Sequence, residues 1–413
     1  MNHFLKTILM AARNLLRGGR RTVSTLLAIT VGLVGLTLLD GYITYSMNGL
    51  KETVIHSDTG HIQLMRSAAF LDEGDSDPFP FMLDAAGDME KELRALPQVK
   101  DVVPALSFAA IASARGKTGM VRVTAFPTDK ASANLTRRRV VDGKDLAVGG
   151  GGQILIGKGL SRKLGVRPGE AISLFALSKG GGVNTQGYTV AGTTTTLIAA
   201  ADNVAVSMDL SDAQALLSTD EVPQLIVFLK STSDTASVAA ALRAVPASSA
   251  LHGLTIRTWD QLSPYYQQAN TSYQLVLAVA RFIVLLVALF SISGTLSLSV
   301  LERLREIGSL RAFGTRRAQI LLMFLFEGLF LGILGAVVGC IVGGGLSALI
   351  NVSGGISMPP QPGMSSALRI FFTPGGRTFV ANGIWVLAAS IAGAFFPGML
   401  SSRKGIAELL RAQ

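Results

Sequence analysis

The chain has 413 residues, 49% hydrophobic and 15% charged, with 37 basic against 27 acidic side chains and one cysteine. Its positive mean hydropathy points to membrane spans and argues against a wholly water-soluble protein. The net excess of ten positive charges sits in residues 1–21, 302–317 and 403–413, which hold 13 Lys and Arg against 3 acidic residues; the rest is neutral, leaving no basic face for nucleic acid.

In residues 1–21, Phe4, Leu5, Ile8, Leu9, Ala12, Leu15 and Leu16 recur at helical spacing, with Lys6, Arg13 and Arg17 off that stripe. This pattern predicts an interfacial amphipathic helix on the cytoplasmic side. The first span covers 22–45, and its stretch 22–39 is uncharged. It is longer than a typical signal-peptide core and no small-x-small site follows it, so it reads as an uncleaved anchor.

Residues 46–272 read as a mixed α/β domain outside the membrane. Strands are expected at Val54–Met65, Leu106–Ser113, Met120–Phe126, Gln153–Ile156, Ala171–Leu177 and Leu225–Leu229, and helices at Asp88–Leu96, Leu160–Leu164, Leu210–Leu217 and Thr235–Val245. The acidic, proline-punctuated Asp72–Pro80 reads as a mobile loop, and Gly149–Gly152 and Gly180–Gly182 as turns. With its only cysteine, Cys340, elsewhere, the domain must rely on its packed core.

Three features of this domain invite an enzymatic reading. Gly152–Gly159 falls one residue short of a phosphate loop, with glycine at 159 where a hydroxyl should reach magnesium, and its Ile-Leu-Ile centre suits a strand. His56, Asp58 and His61 suggest metal ligands, but on a strand positions 56 and 61 would face opposite sides. Arg137, Arg138 and Arg139 read as a solvated loop beside Asp129 and Asp142. No G-x-S-x-G, H-E-x-x-H or paired-cysteine spacing occurs, so the chain is expected to be non-catalytic and to bind neither metal nor cofactor.

The second span covers 273–301, and Arg281 enters it from the outer end, where snorkelling would suffice. In the loop 302–317, helical character continues through Glu302, Arg305 and Glu306, with breaks expected at Gly308 and Gly314 and a cap at Thr315. Between the breaks Ile307, Leu310 and Phe313 recur every three residues, giving a short helix with an apolar edge that requires a partner surface.

The third span, 318–350, carries Glu327 roughly 15 Å in at 1.5 Å per residue; an ionisable group there is a functional candidate. Its Gly328, Gly332, Gly335, Gly339 and Gly343 form a small-xxx-small ladder that fits either a neighbouring span or a second subunit. Gly343–Gly345 are expected to end or loosen that helix. The outer loop 351–378 contains M-P-P-Q-P-G, in which Met358, Pro359, Pro360 and Pro362, near Phe371 and Phe372, are a candidate outer gate. The fourth span covers 379–402 and the tail 403–413. Positive flanks put both termini and the 302–317 loop in the cytoplasm.

Four features stand together: one span, a large outer domain and three spans; E-R-x-x-E-I-G-x-x-R-A-x-G at Glu302–Gly314; G-H-I-Q-L at Gly60–Leu64; and L-I-G-K-G-L-S-R-K-L-G-V-R-P-G-E at Leu155–Glu170. In these the chain resembles the permease subunits of MacB, lipoprotein-releasing (Lol) and FtsX-type ABC transporters, the type VII or mechanotransmission class. It implies an α-helical membrane protein of four transmembrane helices with a MacB-like periplasmic core domain between the first two, in the bacterial inner membrane. Glu302, Glu306, Ile307, Gly308, Leu310, Arg311, Phe313 and Gly314 would then form a coupling helix on an ABC ATPase, expected as two copies of a separate polypeptide because the chain starts so close to its first span. ATP and Mg would bind there. A second permease copy or paralogue, a periplasmic acceptor or adaptor and membrane lipids complete the implied partners. Release or export of lipoproteins or other amphiphiles is the expected function, with FtsX-like activation of a cell-wall enzyme as the alternative.

Overall fold

The four apolar stretches form four long helices in the structure, a computed structural model that describes residues 10, 11, 13, 19–84, 86–129, 139–149, 151–195, 199–358 and 368–403. Most of the amphipathic stripe before residue 19, Arg137 and Arg138, the prolines at 359–362 and the tail after Arg403 lie outside the described residues. In chain order the main elements are α1 (Gly19–Val54), β1 (Ile62–Met65), α2 (Ala86–Arg94), β2 (Val99–Ala114), β3 (Lys117–Phe126), β4 (Arg139–Gly143), β5 (Gln153–Gly157), α3 (Lys158–Leu164), β6 (Ala171–Leu177), β7 (Val183–Thr195), β8 (Ala205–Asp209), α4 (Leu210–Leu217), β9 (Gln224–Leu229), α5 (Thr235–Arg243) and β10 (Thr255–Thr258). There follow α6 (Pro264–Glu302), α7 (Leu304–Ala312), α8 (Arg317–Val352), the paired β11 (Ile356–Met358) and β12 (Leu368–Ile370), and α9 (Gly376–Arg403).

These elements divide into a helical unit and an α/β unit. In the helical unit, α1, α6, α8 and α9 are each at least 28 residues long, about 42 Å at the helical rise, enough to cross a bilayer. Their shared core is Ile29 and Leu33 of α1, Ala288, Ile292 and Leu296 of α6, Ile320, Met323 and Phe324 of α8, and Val386 and Ala389 of α9. Leu27, Val31, Phe282, Phe290, Ile341 and Phe396 stay on the outside. Such an apolar exterior suits lipid, because helices already satisfy their own backbone groups.

The glycine ladder of α8 is filled by this chain itself. A Cβ on Gly328 or Gly332 would come within 2.5 or 2.3 Å of Ala394 or Ser390 of α9, and one on Gly335 or Gly339 within 2.6 or 2.7 Å of Ile29 or Leu33 of α1. Gly343 approaches Thr37 in the same way, at 3.2 Å. The expected loosening at Gly343–Gly345 does not occur: α8 runs on to Val352. There the missing side chains admit α1 and Phe379 of α9, and the chain turns instead at Gly354 and Gly355, both at positive φ.

The α/β unit is built on one mixed sheet in the order β10-β1-β9-β2-β3-β8-β5-β7-β4, with β6 bridging β2 and β7. β3–β8 and β5–β7 are parallel and the other pairings antiparallel. β9, apolar from Leu225 to Leu229, is buried at every residue between β1 and β2, whereas β6 alternates in burial along A-I-S-L-F-A-L. The expected Leu106–Ser113, Met120–Phe126, Gln153–Ile156, Ala171–Leu177 and Leu225–Leu229 all fall on strands, and the four expected helices fall on α2 to α5, Leu210–Leu217 with the same ends and the other three with shifted ones.

Two expectations fail here. Val54–Met65 is not one strand: α1 ends at Val54, Ile55–Thr59 makes a single π-helical turn, and only Ile62–Met65 is extended. Gly60 makes the switch at φ 61°, ψ −167°, a region open essentially to glycine, where a Cβ would lie 2.3 Å from Ile226. Asp72–Pro80 is not a loose loop either. Phe70 and Phe81 on its flanks are buried edge-to-face at 5.7 Å, and Asp75 accepts a hydrogen bond from Ser107 at 2.8 Å and pairs with Arg122 at 3.0 Å.

Candidate functional site

The segment between α6 and α8 carries the most specific sequence signal, and its geometry differs from the expected one in detail. α6 stops at Glu302, where Arg303 leaves helical geometry at φ −113°, ψ 17°. α7 then runs through Gly308, which is buried inside the helix and breaks nothing. Gly314, at φ 91°, does turn the chain. Arg316, not Thr315, precedes the first turn of α8, and its backbone N–H donates to the Gln319 side chain at 2.9 Å.

α7 is fastened on several sides. Arg303 donates through Nη1 to Glu327 at 3.1 Å and through Nε to Glu306 at 3.0 Å. Glu327 is only 3% exposed, so this intramembrane candidate is the acceptor of an arginine from the loop end. Ile307, 1% exposed, packs into the bundle core with Ile320 and Phe324. Arg311 reaches the Ser402 carbonyl of α9 at 3.4 Å, and Arg21 of α1 pairs with Glu302.

The expected apolar edge is therefore divided. Steps of three residues drift by about 60° on a helix of 3.6 residues per turn, so positions 307 and 313 point well apart. Ile307 faces the bundle, Leu310 is half-buried, and Phe313 is 90% exposed. Glu302 and Glu306 lie exposed on the same segment. What stays exposed is Phe313, next to a charged helix that cannot swing freely.

Arg281 does not merely snorkel; it lies 3.6 Å from Asp40 of α1, a carboxylate that the charge-free run 22–39 ends against. Sequence reasoning missed Asp40, although its position late in span one and that of Arg281 early in span two put both near one end of the bundle. On the loop between α8 and α9, Phe371 packs on Tyr45 at 5.4 Å, and Asn351 holds both backbone groups of Phe372, at 2.7 and 2.9 Å. Met358 closes β11, and its proline neighbours are outside the described residues.

The other candidates are structural. β5 passes at Gly157 directly into α3, and Gly159 is buried against Asn203, so Gly152–Gly159 offers no loop of free amides for a phosphate. His56 and His61 do not diverge as strand residues would, because His56 sits on the π-helical turn and the rings lie 6.0 Å apart. Both nitrogens of His61 are engaged: Nδ1 accepts from the Leu229 amide at 3.2 Å and Nε2 pairs with Thr232 at 3.1 Å. Burial, helped by His56 and nearby lysines, pushes its pKa down to about 4. Among the described residues no three His, Cys, Asp or Glu are placed to hold a metal ion.

Four long apolar helices with an α/β domain inserted after the first define an integral membrane protein whose distinguishing feature is the fastened loop helix. The family profile of the MacB-like periplasmic core domain matches residues 22–245, more than half the chain, and that of the FtsX-like permease C-terminal region matches residues 278–406. The chain belongs to the ABC transporter permeases that combine these two regions. It is 45% identical over 84 residues to the macrolide export ATP-binding/permease protein MacB of Syntrophobacter fumaroxidans, covering 20% of this chain and 12% of that one. To the lipoprotein-releasing system transmembrane protein LolC of Neisseria meningitidis it is 25% identical over 198 residues, 46% of each chain. To the ABC transporter permease YtrF of Bacillus subtilis it is 38% identical over 71 residues, 17% of this chain and 16% of that one. These matches thus span less than half of the relatives' own lengths. The periplasmic region of MacB from Actinobacillus actinomycetemcomitans aligns over 54% of this chain and 94% of its own, with a TM-score of 0.34 and 12% identity.

Proposed function

We propose that the chain is the membrane subunit that turns ATP hydrolysis by an ABC ATPase partner into movement of its α/β domain, and thereby releases or exports lipoproteins or other amphiphilic substrates. The observation that carries this reading is Phe313: a large aromatic side chain 90% exposed at the end of a charged helix that is itself lashed to the spans. Aromatic anchors of this kind are what a partner's pocket takes up. The names of two relatives support the direction of the reading, one joining ATP binding to permease function and the other naming lipoprotein release.

In this scheme α7 and both termini lie in the cytoplasm and the α/β domain outside it. Leu310 and Phe313 dock on the ATPase, with Glu302, Glu306 and Arg311 at the rim and Gly314 setting the turn. Ile307 contributes from the other side, by holding α7 to the bundle. The proline-rich Met358–Gly363 lines the exit path. An FtsX-like switch acting on an extracytoplasmic enzyme is the second reading; it uses the same docking and differs only in its output.

The test is co-purification with native partners. Phe313→Asp puts a carboxylate where an apolar anchor should be buried, and its desolvation should abolish retention of the ATPase. Because residue 313 is exposed, abundance of the chain should be unchanged. A Phe313→Asp complex with its ATPase fully retained and active would overturn the docking assignment. Mass spectrometry of co-purified lipids and proteins separates amphiphile release from enzyme switching.

A further inference from the structure

α7 lies between two joints. Arg303 interrupts α6 with no side-chain cap, and Gly314 turns the chain at positive φ. A rigid element between two joints swivels unless something holds it. Ile307 holds it by apolar packing, which tolerates sliding, and Arg311 reaches the end of α9 with a hydrogen bond of 3.4 Å. A further hold is of a different kind. The Arg303 guanidinium lies at the joint itself and spans two carboxylates, Glu306 on α7 and Glu327 on α8, at 3.0 and 3.1 Å.

We infer that Arg303 and Glu327 form a latch that fixes the angle of α7 against α8, so that a push on α7 moves α8 rather than bending the chain at Arg303. A planar guanidinium with separated donors can bridge two carboxylates in fixed directions, which an ammonium cannot. Glu327 is buried, so its attraction to Arg303 is little screened. From Glu327 the motion has a close-packed route onward: Gly328 and Gly332 seat α8 on α9, and Gly335, Gly339 and Gly343 seat it on α1, the helix that leads into the α/β domain. Both residues act through α7 and are positioning residues. The assignment of a role in transmission rests on the proposed function; the fastening of α7 does not.

The experiment uses the full chain in lipid nanodiscs with its co-purified ATPase, in a Cys340→Ser background carrying Ser309→Cys with a spin label. Position 309 is exposed on α7 and reports its swing. The variants are Arg303→Lys, Glu327→Gln, and the double replacement Arg303→Met with Glu327→Met, which should keep the fold because neither member of the pair is left without the other and Glu306, which loses Arg303, is exposed. In all three the label should become more mobile, and output per ATP hydrolysed should fall about tenfold, within the usual span of a coupling free energy, while the ATPase remains bound. A double-Met chain that melts like the parent yet keeps an immobile label or full coupling overturns the latch. If the unaltered chain retains no ATPase, the functional reading fails on that control alone, and label mobility still decides whether the pair fixes α7.

Discussion

His61 shows how one buried side chain ties pH to stability. The residue is 3% exposed and both ring nitrogens are occupied, so the folded domain holds it neutral with a pKa pushed down to about 4, against 6.5 for a free histidine. Above pH 6.5 neither state is protonated and the full stability is present. Between 6.5 and 4 the unfolded chain takes a proton that the folded one refuses, so stability falls as pH drops, by about 1.4 kcal/mol per pKa unit and on the order of 3 kcal/mol in all. Thermal unfolding of the detergent-solubilised chain should show this slope, and His61→Asn, which keeps an acceptor for the Leu229 amide, should flatten it. Gly60 gives a second case at this scale. Gly60→Ala should cost about 1–3 kcal/mol in backbone strain alone, with the 2.3 Å approach to Ile226 adding to it; a melting temperature within 1 °C (about 0.4 kcal/mol for a domain of this size) of the parent would contradict this. The sequence around Gly60 read as a strand because Val54, Ile55 and Ile62 are β-branched. The residue that divides helix from strand there reveals its role only through its φ angle and its approach to β9.

At the scale of elements, spacing was a better guide than local breakers. The ladder from Gly328 to Gly343 was legible as a close-approach surface, but small-xxx-small spacing does not name the neighbour. The structure divides it between α9 and α1, which leaves none of these glycines as a free face for a second subunit. Gly332→Leu and Gly339→Leu should therefore lower the melting temperature and yield of the monomeric bundle, overpacking costing about 1–3 kcal/mol each, and a loss confined to self-association would be the wrong outcome. Gly308 suggests a break in the sequence yet makes none, because a glycine inside a helix costs only about 1 kcal/mol and tertiary packing easily offsets that. The break falls at Arg303, whose partner Glu327 lies across the turn in another helix, so no window of local sequence contains the cause. The π-helical turn after α1 and the polar strand β7 escaped for the same reason: V-N-T-Q-G-Y-T-V lacks a clear apolar alternation, and its place in the sheet comes from β5, β6 and β4 around it.

For the whole molecule, the order of one long helix, an α/β domain and three more helices could be read from hydropathy, whereas the sheet order could not. β1 pairs with β9 and β10, far along the chain, and such distant pairings leave no mark on composition or periodicity. Charge distribution adds what the fold alone lacks, a direction across the membrane. The basic clusters before α1, around α7 and at the end of α9 predict that these ends share the cytoplasmic side and that the α/β domain and the β11–β12 loop lie opposite. Thiol labelling tests this directly, since Ser211 on α4, Ser353 after α8 and Ser309 on α7 are all exposed, so that access depends on side and not on burial. In a Cys340→Ser background, cysteines at 211 and 353 should react in intact cells with a membrane-impermeant maleimide, and one at 309 should react only after the membrane is permeabilised. Cys340 must be removed first because it is only partly buried and would give its own signal. Reaction at 309 from outside would reverse the orientation and put the exposed Phe313 out of reach of any ATPase, whereas protection of all three before permeabilisation would move the α/β domain to the ATP side and end the mechanical reading of the protein.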